Sequence, residues 1–436
     1  MSKHILPLLS RIFSTLLLIM LARSALAVPS FARQTELDCS SCHLSWPELT
    51  ATGRKFKLSG YTWGERQLAP IAGMLEFSWT STRKANRGTP DELDNDKEAL
   101  FQEGAVFVAG KITDQVGIFS EWAYDAIEHH SKLEGVDIRY AGKIGEGDRG
   151  LLYGLTLHNK PAIQDIYNTG LAWGFPFAAS DVAITPNAEL AINGLGEQVA
   201  GLGAYGMWHN LLYGEIAAYR TADKGFSVLR AGTNRAEAAA LKGYNPYWRL
   251  ALQHEWDGAH SAMVGAFGMK IDRYPDNNYL HGPTNRFNDI GIDAQYQYLD
   301  PGDKHRLSAQ FSYVREKQDW NATTQSNPSD TLKSVLAKVT YYYQLKYGLS
   351  LGYFGVRGTA DDAIYNNGEP LTGSATGSPN SSGYIVELNY LPVRDIRLAL
   401  QYTGYTKFNG ATTNYDGLGR NAKDNNTLFL LGWLLF

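Results

Sequence analysis

The residues best suited to chemistry are Cys39, Cys42 and His43, in the run Cys39-Ser40-Ser41-Cys42-His43, and no other cysteine occurs in the 436 residues. Two thiols separated by two residues, with an imidazole directly after the second, fall within about one helical turn. This is the attachment pattern of c-type haem: each thiol adds to a vinyl group and the adjacent imidazole reaches the iron as proximal ligand. A disulfide or a zinc site are the alternatives, but no second pair of ligands lies nearby to complete four-coordinate zinc. One covalently bound haem c is therefore the expected cofactor. It holds a single electron, and with no second Cys-x-x-Cys-His to build a wire its task is one-electron transfer.

The elements around the motif must position it. The segment that contains it before the first strand-like stretch is only residues 28 to 68, too few to bury a haem within a core of their own. The rest of the chain must wall the cofactor. In "WPELTATGRKF" a turn at Pro47 leads into a short helix or turn carrying Arg54, Lys55 and Lys57, cations of the kind that pair with haem propionates. Beyond His43 the segment offers no His, and it offers no Met before residue 74. A second axial His or Met must then come from the strand-rich remainder of the chain, where Met74 is nearest; a gap-filling apolar side chain is its other reading.

That remainder reads as a barrel. Aromatics make up 12% of the chain, with 26 Tyr, 10 Trp and 44 Gly, and the apolar residues alternate. Ile290, Ile292, Ala294, Tyr296 and Tyr298 face one way, and Asp289, Asp293, Gln295 and Gln297 the other. Val335 to Tyr343 and Ile396 to Tyr402 repeat the pattern. Tight connections at Thr113, His209, Asp257-Gly258, Asp300 to Asp303 and Pro392 alternate with longer ones, as in outer-membrane barrels. The expectation is all-β: an antiparallel outer-membrane barrel of about 16 strands over residues 69 to 436, plugged by the haem-binding segment, 28 to 68. The close on "NNTLFLLGWLLF" resembles the carboxy-terminal insertion signal of such barrels.

Residues 1 to 27 read as a cleaved export signal: Lys3 and Arg11, an apolar run from Ile12 to Leu21, then Ala25-Leu26-Ala27. Without them 37 basic residues face 44 acidic ones, a net charge near −7. An exported chain of that sign is a poor partner for nucleic acid. Lipid of the outer membrane is the expected surroundings, with the haem segment on the periplasmic side or inside the barrel.

Phe31-Ala32-Arg33-Gln34-Thr35, the Cys39 to His43 motif, Pro47-Glu48-Leu49-Thr50, Gly53-Arg54, Phe56-Lys57 and Gly60-Tyr61 together resemble the amino-terminal segment of the fused monohaem cytochrome-porins of iron-oxidising bacteria. The resemblance implies an outer-membrane oxidase that takes electrons from extracellular Fe(II) and passes them to a periplasmic c-type cytochrome or similar carrier. It implies thioether attachment at Cys39 and Cys42 and proximal ligation by His43. The chain departs from the family's pattern at Glu36, where Gly is frequent, and at Ala51-Thr52, where Pro-Phe is common. A solute channel with a haem-bearing plug, and the same redox conduit with another donor, are the alternative readings.

Two loops carry further expectations. Residues 161 to 195 contain "LAWGFPFAAS", too apolar for a freely solvated loop, which should fold over or into the barrel mouth. The loop 89 to 98 offers Asp91, Glu92, Asp94, Asp96 and Glu98 on the outer side, where they would concentrate cations.

Overall fold

The computed structural model describes residues 29–84, 96–161, 163–170, 175–234, 239–366 and 368–436. The expected export signal lies outside them. Sixteen strands form one closed antiparallel barrel. They are β1 Ile71–Thr82, β2 Ala99–Lys111, β3 Val116–Asp125, β4 His130–Ile144, β5 Leu151–His158, β6 Val199–Trp208, β7 Leu212–Thr221 and β8 Asn245–Trp256. The second half comprises β9 His260–Arg273, β10 Asn285–Leu299, β11 His305–Asp319, β12 Ser329–Tyr343, β13 Tyr347–Gly358, β14 Ser381–Val393, β15 Ile396–Lys407 and β16 Thr427–Leu435. One expected turn moves: Pro392 ends β14 instead of making the connection, which falls on Arg394 and Asp395. Proline is tolerated there because the ladder is already closing at the strand end.

Period-two alternation decides which side chains meet lipid. Ile216, Leu250, Ile290, Leu351 and Leu388 are exposed on the outer wall, while Arg249, Asp293, Gln297, Lys338 and Arg397 on the same or adjoining strands are buried inside. Exposed Trp122, Trp248, Tyr353 and Tyr384 lie toward the ends with the longer loops; Trp208, Tyr341, Tyr347 and Tyr390 lie toward the ends with tight turns. An apolar band between aromatic belts, with every strand paired on both sides, is how a sheet satisfies its backbone in lipid. The chain is thus a barrel of the bacterial outer-membrane type, its tight turns at the periplasmic end. Among the described residues no helix is long and apolar enough to cross a membrane.

The seam closes β1 on β16, from Met74 opposite Leu435 to Thr82 opposite Thr427. Beside it the amide of Gly73 donates to the Phe436 carbonyl at 2.7 Å. The Phe436 ring lies across Gly73, where a Cβ would come within 2.6 Å of it.

Residues 29 to 68 occupy the lumen, with three short helices, α1 Pro29–Thr35, α2 Cys39–Cys42 and α3 Ala51–Leu58. Glu48 is their deepest anchor: fully buried, it takes the Lys338 ammonium of β12 at 2.5 Å and accepts from Gln297 and Ser308. Arg54 donates to Gln295, Gln297 and Ser261 on β10 and β9. Tyr61 reaches Asp137 of β4 at 2.6 Å. The connection from β5 to β6 also turns inward, its Asp165 and Thr169 tied to Arg249 and Asp293. Its Phe175 and Phe177 lie against the Lys338 ammonium. Ala162 and Leu171 to Gly174 lie outside the described residues; the described part of that loop folds into the barrel, in keeping with its apolar content.

Candidate functional site

The Cys-x-x-Cys turn is held from both ends. The His43 amide donates to the Cys39 carbonyl at 2.8 Å, and the Thr50 amide to the Cys42 carbonyl at 2.9 Å. Thr50 also caps α3, its hydroxyl accepting from the Gly53 amide at 3.2 Å and donating to the Ser41 carbonyl at 2.6 Å. This packing needs a glycine: a Cβ on Gly53 would lie 2.2 Å from the Cys42 carbonyl oxygen. Arg306 of β11 grips the same turn, donating to the carbonyls of Ser40 at 2.6 Å and His43 at 3.1 Å. At the end of α1, Glu36 adopts φ 58°, the left-handed conformation glycine takes freely. Glu36 therefore stands where the backbone favours glycine.

Cys39, Cys42 and His43 all line one cavity of about 410 Å³ between the plug and the wall formed by β1 to β4, within the usual size of ligand sites. No disulfide joins the thiols. Burial pushes the Cys42 thiol up to about 11, with Cys39 adding to the shift. His43 Nδ1 lies 3.2 Å from the Pro47 carbonyl, which fixes the ring and leaves Nε2 for another partner. Burial pulls its pKa down to about 4 against those backbone bonds, so the ring is neutral, the form that ligates metal. The apolar wall includes Phe31, Phe56, Phe107, Phe119 and Leu435.

Met74 lines the same cavity and is only 4% exposed. The structure thus brings it together with the thiols and the imidazole. Lys57 reaches the cavity too, but its ammonium donates to the carbonyls of Ile163 at 2.5 Å and Asp165 at 3.3 Å, and burial lowers its pKa to about 8. Arg54 is not on the cavity: its guanidinium is spent on β9 and β10, with the Tyr167 ring 5.5 Å away. The two cations placed by sequence near propionates are thus committed to protein acceptors. Of the acidic loop, residues 85–95 fall outside the described residues, and Asp96 caps the Thr82 amide at 2.6 Å.

Three features of the cavity escape a reading of local sequence. Glu76, Glu103, Glu121 and Glu134 line its outer part. Trp433 of β16 also lines it, and its indole N–H is buried without a hydrogen-bond partner among the described residues. Lys160 reaches in from beyond β5. Strand alternation marks Glu76 as sharing the inward face of Met74, but only the pairing of distant strands shows what it faces.

A cavity presenting two thiols, a neutral imidazole and a thioether among aromatic rings fits a covalently held flat cofactor. The orphaned indole N–H adds a donor without a protein acceptor. The class defined here is a porin-like outer-membrane barrel with an internal plug and a cavity between plug and wall. No family model matches the chain, and no curated protein matches it. Among solved structures, OmpF of Salmonella typhi in complex with daunomycin is similar at 13% identity and a TM-score of 0.46, over 84% of this chain and 97% of that one. The outer membrane channel DcaP of Acinetobacter baumannii is similar at 11% identity and 0.44, over 84% and 96%. A loop-deletion mutant of OmpT from Vibrio cholerae is similar at 10% and 0.44, over 84% and 98%. The barrel assignment rests on the chain's own strand pairing.

Proposed function

We propose that this chain is an outer-membrane cytochrome-porin that oxidises extracellular Fe(II) and passes single electrons to a periplasmic c-type cytochrome or similar carrier. The observation that carries the reading is the convergence of Cys39, Cys42, His43 and Met74 on one cavity enclosed by plug and barrel. Cys39 and Cys42 would hold a haem c covalently, with His43 as proximal ligand and Met74 as the second axial ligand. When bound, the haem would supply a one-electron acceptor and donor. The protein's own part is to fix and shield. Pro47 orients the imidazole, Arg306 and Thr50 hold the turn, and the phenylalanines cover one face of the cavity.

The cavity spans the direction that electrons must take. Asp38, exposed at the periplasmic end, lines one part of it, and the carboxylates higher on β1 to β4 line another. Donor and acceptor can then approach from opposite ends while the cofactor stays between them. The test is direct: a pyridine haemochrome assay on the purified protein, then stopped-flow spectra on mixing oxidised protein with Fe(II) from mildly acidic to neutral pH. Haem reduction by Fe(II) is the expected result. Haem reduced quickly by another donor but not by Fe(II) would overturn iron oxidation and retain an electron-transfer conduit.

A solute channel with a haem-bearing plug is the second reading, favoured by the 16-strand, porin-like barrel. Single-channel recordings in planar bilayers separate the two: a large, steady conductance without redox turnover would favour transport. The buried Glu48–Lys338 and Asp165–Arg249–Asp293 contacts across the lumen lead us to expect a small conductance or none.

A further inference from the structure

The outer part of the cavity is lined by an arrangement that a protein-only account leaves unexplained. Glu76 on β1 stands directly opposite Glu103 on β2, a like-charge cross-strand pair of the kind that destabilises a sheet. Two irregularities add to it. The pairing of β1 with β2 skips Gln102, and the pairing of β3 with β4 skips Glu134 beside Glu121. Bulges re-aim side chains and recur next to functional sites; here all four of Gln102, Glu103, Glu121 and Glu134 line the cavity.

The charges are not balanced from within. Among the described residues Glu76, Glu103 and Glu121 accept no hydrogen bond and make no ion pair. Glu134 has Lys160 at 3.7 Å, and that ammonium is shared with Glu197 at 3.2 Å. Arg397 influences Glu76 from a distance; its Nε and Nη2 are bonded to Asn389 and Glu387, and its Nη1 has no partner among the described residues. Glu76 is the decisive case. It is 6% exposed, lines the cavity and has no partner. A buried carboxylate without a partner is costly unless it takes up a proton or meets a counter-charge, and a cation in the cavity would supply the second.

The position of the cluster indicates what that counter-charge does. β1 rises from the periplasmic end at Ile71, so Glu76 lies two residues above Met74 on the same inward face, ~7 Å along the strand. The carboxylates therefore sit on the extracellular side of the cysteine and histidine motif. No three of the described His, Cys, Asp or Glu side chains are close enough to form a ready-made metal cage. An arrangement of that kind suits a cation that keeps part of its water shell and must leave again. Carboxylate oxygens suit hard and borderline divalent ions.

We propose that Glu76, Glu103, Glu121 and Glu134 form a docking site for a partly hydrated divalent first-row cation inside the barrel, next to the Cys39–His43 cavity. As the place where the donor waits, the site rests on the Fe(II) reading above; as a cation site, it stands on the unpartnered carboxylates. Mn(II), which resembles Fe(II) in charge and ligand preference and does not reduce the protein, is the probe. Full-length protein purified in detergent from outer membranes is titrated with Mn(II), and free ion is followed by electron paramagnetic resonance. One saturable site per chain is expected, weakened at least tenfold in a Glu76→Gln, Glu103→Gln double variant and unchanged in Asp96→Asn, Glu98→Gln. Heat-modifiable migration checks that the barrel is intact; if the double variant fails to insert, Glu121→Gln alone should weaken binding severalfold. Absence of a saturable site, unaltered Mn(II) binding in the cavity variants, or loss of binding in the outer-loop variant instead would overturn the site. Saturable Mn(II) binding lost in E76Q/E103Q, in a protein whose haem ignores Fe(II), would keep the cation site and discard the iron-oxidation reading. Rapid reduction by Fe(II) with no Mn(II) site would do the reverse.

Discussion

The two sides of the lumen are built on opposite plans. Toward β9 to β12 the plug is bound by a dense set of polar contacts, Glu48 meeting Lys338, Gln297 and Ser308 and Arg54 meeting Ser261, Gln295 and Gln297, while Nε of Arg54 and of Arg306 have no partner among the described residues. Toward β1 to β4 the plug is tied at Tyr61 to Asp137 and at Arg33 to the Ile71 carbonyl but leaves a cavity between, with aromatic rings below and unpartnered carboxylates above. Buried polar groups that pair within the protein specify a position. One wall holds most of the plug's side-chain bonds, and the other keeps the cavity open beside it.

The sharpest way to break that contrast is to remove the chemistry from the open side. Cys39→Ala, Cys42→Ala or His43→Ala should abolish or severely reduce covalent haem and Fe(II)-driven reduction, with the barrel still inserted, as read by haem staining beside heat-modifiable migration. A fully loaded, active His43→Ala protein would remove the proximal assignment. On the anchoring side, Glu48→Ala leaves the Lys338 ammonium buried and alone. The expected loss is ~3–5 kcal/mol of plug docking, seen as faster proteolysis of the amino-terminal segment and increased conductance.

Lys57 lies where the two sides meet, and its effect depends on pH. Burial lowers its pKa in the folded protein to about 8, below the ordinary lysine value. Between the two values the unfolded chain binds more protons, so the stability of the docked plug should rise as pH increases from about 8 toward 10. At most ~3 kcal/mol is involved, by the usual conversion of pKa shift to free energy. Lys57→Met should flatten the pH dependence in denaturation of the plug followed by tryptophan fluorescence. The smallest structural effect belongs to Met74→Leu, which conserves volume and should cost less than ~1.5 kcal/mol. Its spectrum is the measurement that matters: loss of a sulfur-ligated low-spin signature is expected, and an unchanged one would eliminate Met74 as ligand.

Legibility in the sequence divides along the same line. The strands are readable because their alternation is local: Asp289, Asp293, Gln295 and Gln297 are buried, and Ile290 and Ile292 exposed. The cysteine and histidine motif is readable because a helical turn fixes its geometry. Met74 is the thioether nearest the plug in sequence, but that it lines the same cavity as the thiols is visible only in the fold. The partners of Arg54 cannot be read, because they lie more than 200 residues away on β9 and β10. Glu76 is one acid among many in the sequence, because its conflict with Glu103 exists only once β1 and β2 are in register. The apolar stretch around Phe175 and Phe177 signals an inward loop, but not the Lys338 ammonium that receives it.

The seam between β1 and β16 also bears on the order of events. The plug precedes β1 in the chain, and the barrel seals only when the last strand reaches the first. A segment bonded to β4, β9, β10, β11 and β12 completes those contacts only as the sheet curls round it. The part of the chain made first is therefore the part seated last, like a cork that waits for its bottle.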